Sequence, residues 1–237
     1  AYKRFLASSP PADAEQETLY RLALAQHNLH DYAGSAETFR TLVERHPQSV
    51  HAAEAHLRIA DYQLHEAKDP VKAIQAYEAA QKAGATGDLA VRALKGLALA
   101  RYESKDYDGA ANLYLEIMAQ HPDVDLTPTV YAWVGQRMFD AQKWDEAARA
   151  YEALLKAHAD YPDADVVRFQ LGQARGSAGK PDEALAVFEE LARRGTDSPV
   201  AVQARFHVAK ALESKKELDR AAKLYQEIAD TNTGDLA

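Results

Sequence analysis

The chain has 237 residues, 47% hydrophobic and 27% charged, with a formal net charge of -8 and no cysteine. No apolar run approaches the roughly 18 residues of a membrane span, and an acidic balance argues against binding nucleic-acid phosphates, which needs a basic face. The missing cysteines exclude disulfides and thiolate metal sites but assign no compartment.

Residues Tyr2 to Leu6 read as the end of a helix with Tyr2, Phe5 and Leu6 on one face, stopped by Ser9-Pro10-Pro11. From about Glu15 to Leu29 the residues Leu19, Leu22, Ala23 and Leu29 fall at helical spacing. A second helix from Tyr32 carries Ser35, Phe39, Leu42 and Val43, with Asp31 placed to cap its free N–H groups and Pro47 to end it. The next pair holds Leu57, Ile59 and Ala60, then Ala73, Ala76, Tyr77 and Ala80, across a Lys68-Asp69-Pro70 turn that sets an acidic cap before a first-turn proline. Gly84, Gly87 and Asp88 form a looser connector. A third pair runs through Leu94, Leu97 and Ala98, then Tyr107, Ala110, Tyr114 and Ile117, closing on His121-Pro122. The fourth has Tyr131, Val134 and Gly135, then Trp144, Ala147, Tyr151 and Leu154. The fifth has Leu171 and Gly172, then Pro181, Ala184, Phe188 and Leu191; the sixth has Val208 and Ala209, then Leu218, Ala221, Tyr225 and Ile228.

The pairs are copies of one unit. An aromatic recurs at Tyr2, Phe39, Tyr77, Tyr114, Tyr151, Phe188 and Tyr225, at spacings of 37, 38, 37, 37, 37 and 37 residues. Self-similarity at this period marks a solenoid, in which each unit contacts its neighbours and helices too short to stand alone in water are stabilised by stacking. The small residues Ala23, Ala60, Ala98, Gly135, Gly172 and Ala209 on the first helices are expected to face the small positions of the second helices, with each aromatic wedged between units. The expected fold is all-α: one right-handed superhelical array of helix-turn-helix repeats with a period of about 37 residues. Its units are residues 16–49, 53–87, 91–124, 128–162, 165–198 and 202–235, preceded at 1–11 by the end of another repeat. Residues 231–237 read as a loop, and the sequence reads as a piece of a longer array whose ends would self-associate weakly.

A large apolar residue, Leu-Gly or Leu-Ala, then a small residue twelve positions on, an aromatic four after that and often a closing proline: this order resembles the tetratricopeptide repeat. The segment Tyr131 to Leu154 carries it most fully. The connector His46-Pro47-Gln48-Ser49-Val50-His51-Ala52-Ala53-Glu54-Ala55 is similar to those of bacterial cell-envelope members of that family, those of the Tol-Pal system and of outer-membrane β-barrel assembly.

No chemistry is expected. His27, His30 and Asp31 lie close in sequence, but Asp31 is wanted as a cap and no third histidine stands nearby, so no metal is assigned. The run Gly172 to Pro181 lacks the phosphate-loop spacing, and Gly179 is better explained by the turn between helices. The acidic pairs Asp145-Glu146 and Glu189-Glu190 fall on polar helix faces, without the burial that would make a carboxylate an acid or base. No Ser-His-Asp order offers a nucleophile with its base, so the expected protein is not an enzyme and holds no cofactor.

The family resemblance implies instead a protein-binding scaffold whose first helices line a concave groove. The positions it implies are Tyr20, Leu24 and His27; Leu57, Asp61 and His65; Arg92, Lys95 and Tyr102; Gln136, Phe139 and Asp140; and Phe169, Gln173, Phe206 and Lys210. Aromatic anchors among polar groups suit a peptide partner. The same residues also admit a packing role against their own second helices. A clamp of lysine and asparagine for an acidic C-terminus is not evident, since Tyr20 and Leu24 stand where it would begin. The expected partner is a protein or peptide, in the periplasm or at the outer membrane, with the cytoplasm as the alternative. The competing function is a regulatory array attached to a catalytic domain elsewhere in a longer chain.

Overall fold

The computed structural model describes residues 2–194 and 199–233. They form α1 (Tyr2–Leu6), α2 (Ala12–Asn28), α3 (Tyr32–Arg45), α4 (Ala52–His65), α5 (Pro70–Lys82), α6 (Gly87–Glu103) and α7 (Tyr107–Gln120). These are followed by α8 (Pro128–Asp140), α9 (Trp144–Ala157), α10 (Ala164–Ser177), α11 (Pro181–Arg193), α12 (Pro199–Ser214) and α13 (Leu218–Thr233). No strand occurs among the described residues, and the helices pack in successive antiparallel pairs. The chain forms two compact units, 1–123 and 124–237.

Three of the inter-helix turns are capped by the aspartates that precede their second helices. Asp31 accepts from the Gly34 amide at 2.9 Å, Asp69 from Lys72 at 3.1 Å and Asp106 from Gly109 at 3.0 Å. Each bond satisfies a donor that the first turn leaves open. The residue before each cap position has positive φ: His30, Lys68, Lys105, Gln142 and Lys216, with Gly179 in the fifth pair. Only at Gly179 does the sequence supply the residue that takes this conformation without steric cost.

In unit 1 one core runs through α2 to α6, with Phe39, Leu42, Leu57 and Tyr77 at 1% exposure or less. The small-residue pairing holds in the first pair, where the buried Ser35 hydroxyl donates to the Ala23 carbonyl at 2.8 Å. The glycines correct that expectation. A Cβ on Gly135 would come within 2.3 Å of the Tyr151 ring, and one on Gly172 within 2.6 Å of the Phe188 ring. These positions are empty because the aromatic of the same pair fills the space, rather than because two helix backbones meet there. Tyr77 extends the principle across a pair boundary, since its ring occupies the place of a Cβ on Gly96, in α6.

Two smaller expectations are also corrected. Leu29 lies at the C-cap of α2 and is 79% exposed, outside the apolar stripe. Thr231–Thr233 continue α13 instead of starting a loop; residues 234–237, like 195–198 and Ala1, lie outside the described residues.

Candidate partner-binding face

In unit 1 the first helices α2, α4 and α6 bring several of the expected residues to one face. His27, Asp61 and His65 line a single cleft of about 120 Å³, with Tyr32, Ser35, Arg58, Tyr62 and Glu66 completing it. Its wall at His27 is stiffened by an edge-on contact with Tyr32 at 5.1 Å between centroids. The repeat pattern does not single out Tyr32, Arg58 or Tyr62, although Arg58 stands one turn from Glu54, its ion-pair partner at 3.2 Å. A second cleft, of about 320 Å³, joins His65 to Leu64, Lys68, Pro70, Leu99 and Glu103. At the end of α6, Tyr102 is 40% exposed and meets Tyr107 edge-on at 5.4 Å.

Other expected residues are held by intramolecular bonds. The Tyr20 hydroxyl donates to Glu54 at 2.7 Å, and its ring stacks on His51 with centroids 3.9 Å apart. Burial first, and then the Glu54 carboxylate, push the Tyr20 phenol up to about 12. Leu24 is half-buried and packs on the core beside Tyr20. Asp61 accepts from the Tyr77 hydroxyl at 2.7 Å and pairs with Arg92 at 3.3 Å, so Asp61 and Arg92 tie α4 to α6 as well as shaping the face. Lys95 is exposed.

Two expected groove residues are core residues. Leu57 is fully buried in the unit 1 core, and Phe169 is 9% exposed, tilted against Phe188 at 5.5 Å and edge-on to His207 at 5.6 Å. Both stand where the first helix turns toward its second, so apolar character there serves packing and neither side chain is open to a partner.

In unit 2, Gln136 donates to Asp140 at 2.7 Å and accepts from Gln170 at 3.3 Å, linking α8 to α10. Phe139 is half-buried against Trp144, with centroids 4.8 Å apart. The Tyr151 hydroxyl is buried with no hydrogen-bond partner among the described residues, and its pKa is raised by burial and then by Asp140. Gln173 is exposed, Phe206 is 48% exposed, and Lys210 lines a groove of about 230 Å³ with Phe188 and His207. Tyr102 and Phe139, the central aromatics of the expected groove, belong to different units.

Among the described residues no group of three or more His, Cys, Asp or Glu is placed to hold a metal ion, and no helix is long and apolar enough to cross a membrane. The geometry is that of an α-helical repeat protein built from successive helix pairs, with clefts lined by residues of both first and second helices. The chain belongs to the tetratricopeptide repeat family, whose model matches residues 20–88, 72–125, 135–168 and 169–235. No curated protein sequence matches it. Among solved structures it is similar to a tetratricopeptide repeat protein from Parabacteroides merdae, with 13% identity over 91% of this chain and 93% of the other and a TM-score of 0.50. It is also similar to a chain in the structure of Naa15/Naa10 bound to HypK-THB, with 16% identity and a TM-score of 0.55, covering 98% of this chain and 33% of that one. MamA matches with 16% identity over 86% of this chain and 96% of its own, at a TM-score of 0.49. At these identities the likeness is one of fold.

Proposed function

We propose that this protein is a non-enzymatic interaction scaffold that seats a segment of a partner protein on the face built by its first helices. The observation that carries the reading is the cleft of unit 1 where His27, Asp61 and His65, drawn from two successive first helices, meet beside Tyr62. Single first helices expose few side chains, so a partner gains affinity by touching several at once, with an aromatic as anchor and polar groups fixing its register. Tyr102 supplies such an anchor near the end of α6, and the Asp61–Arg92 pair offers both signs of charge between α4 and the start of α6. The connector from His46 to Ala55 supports placing the scaffold in the bacterial cell envelope, in the periplasm or against the outer membrane.

The test is a photocrosslinking amino acid placed at His65, at Tyr102 and, as a control on a second helix, at Glu116. The expected result is one protein partner captured from the first two positions and absent from the third. With that partner purified, Tyr102→Ala should weaken binding by about 2 kcal/mol, the cost of truncating an interface anchor. Capture from Glu116 alone would move the site to the second-helix face. Cell fractionation checks the compartment.

A further inference from the structure

One recurrent position in unit 2 is closed in the fifth helix pair and open in the sixth. In the fifth, Arg168 on α10 is only 14% exposed and is held by Asp165 at 3.0 Å and Glu190 at 3.7 Å. Arg194 completes the network, reaching Asp165 at 3.1 Å and Glu190 at 3.9 Å. One period of 37 residues later, Arg205 replaces Arg168 and Glu227 replaces Glu190, but Val202 stands where Asp165 stood. Arg205 is consequently bonded to no side chain among the described residues, and Arg193 likewise.

The space around them is a notch of about 490 Å³ between α11, α12 and α13. Val208 and Leu212, at 5% and 4% exposure, form its floor with Ala192 and Leu224. Arg193, Arg205, Arg220 and Lys223 stand on its walls against two carboxylates, Glu189 and Glu227. Arg220 is committed to Glu217 and Lys223 lies 4.0 Å from Glu227, which leaves Arg193 and Arg205 facing a single remaining carboxylate, Glu189, an excess of one positive charge. Two unpaired guanidinium groups beside an apolar floor are unusual on a chain whose formal charge is -8, where the overall field favours cationic visitors.

We infer that this notch is a second docking site, separate from the first-helix face, for an acidic segment of a partner protein that carries an apolar side chain. The planar guanidinium groups match carboxylates by paired hydrogen bonds, and the floor takes the apolar group, so the site selects a segment bearing both. The missing Asp165 equivalent is the reason that the site is open: Val202 removes the intramolecular carboxylate and leaves Arg205 to an external one.

The probe is a fluorescein-labelled peptide of glutamates flanking a central Leu-Phe, followed by anisotropy at low and physiological salt. Comparison ligands are the same peptide with glutamine for glutamate, a glutamate peptide without Leu-Phe, and inorganic polyphosphate. The acidic apolar peptide should bind saturably, and the double variant Arg193→Gln/Arg205→Gln should weaken it roughly tenfold. Val202→Asp, which keeps every cation but restores the carboxylate three residues before Arg205, should weaken it comparably, while Lys82→Gln and Tyr102→Ala should leave it unchanged. Far-UV circular dichroism confirms that each variant is folded. Unchanged affinity in both the double variant and Val202→Asp would overturn the inference, as would equal binding of the glutamine peptide. Equal binding of polyphosphate and the peptide lacking Leu-Phe would reduce the notch to a patch for any polyanion. A loss with Tyr102→Ala would assign the peptide to the first-helix face instead.

Discussion

Tyr77 donates its phenolic proton to Asp61 across 2.7 Å while its ring fills the place of a Cβ on Gly96, so one side chain on α5 is fastened to α4 and seated against α6. Tyr77→Phe keeps the ring and deletes the bond. The expected loss is about 1 kcal/mol, at the low end for a bond to a charged acceptor because Asp61 is partly solvated and retains Arg92. Urea unfolding checks it.

The same arrangement fixes an alkaline limit. Burial, and then the neighbouring carboxylates, raise the phenols of Tyr20 and Tyr77 above their ordinary value, Tyr20 to about 12. A raised folded pKa means that the unfolded chain gives up its proton first. Stability is therefore full below about pH 10 and falls as pH rises from there through the folded values. Melting temperature against pH, with tyrosinate absorbance followed in parallel, should show unfolding and ionisation together, and Tyr20→Phe should lessen the slope near pH 11 to 12 (about one unit below and up to the folded value).

Glycine substitutions should split by what lies opposite. Gly135→Ala gains about 1 kcal/mol of helix propensity but drives a methyl group into the Tyr151 ring, and overpacking costs roughly 1 to 3 kcal/mol, so it should destabilise or at best break even. Gly176→Ala, whose Cβ would stand at an ordinary 3.7 Å from Ala184, should stabilise by about 0.5 to 1 kcal/mol. Matching shifts in thermal midpoint for the two would contradict this packing.

Unit 2 lacks a cap that unit 1 uses. Lys143 precedes α9 with φ -90 and ψ 70, nearly the backbone of Asp31 at -83 and 68 and of Asp106 at -80 and 70, yet provides no capping side chain. Lys143→Asp should stabilise by about 0.5 to 1 kcal/mol, less than a full cap because Asp145 and Glu146 already place negative charge in that first turn. The converse, Asp106→Ala, should cost about 1 kcal/mol or more, since it also removes the 2.8 Å bond from Arg101. Denaturant midpoints of the two variants check the pair.

His207 lies face to face with Phe188, centroids 4.5 Å apart, and is edge-on to Phe169 and Phe206. Burial first, and then Lys210, lower its pKa below the usual value near 6.5. A lowered folded value means that the unfolded chain binds the proton first, so this contribution is present above about pH 6.5 and fades as pH falls through the folded value. NMR titration should find the His207 midpoint below the ordinary histidine value near 6.5. His207→Phe should flatten the acid side of the stability profile of unit 2.

The repeat, its helices and most of its core were legible in the sequence because the demands that set them are local and recur. An aromatic every 37 or 38 residues and small residues at fixed offsets report contacts that recur along the array, and aspartates before three of the second helices report their caps. The sequence therefore determined the all-α class, the paired helices, the caps at Asp31 and Asp69 and the burial of Tyr77, Tyr151 and Phe188. It could not separate two uses of the first-helix face. Leu57, Asp61 and His65 lie one turn apart along the same stripe of α4, yet Leu57 is buried in the core while Asp61 and His65 line the cleft, so burial changes along the helix where the periodic pattern does not; Phe169 is buried in the same way on α10. Nor did it show the positive φ of His30, Lys68, Lys105, Gln142 and Lys216, because only the turn geometry requires that conformation. The tertiary structure alone decided which charges meet across neighbouring helices. Asp165 and Arg168 pair within α10 at a spacing the sequence shows, but their ties to Arg194 and Glu190 of the next helix and its end depend on distances between helices that no local pattern encodes.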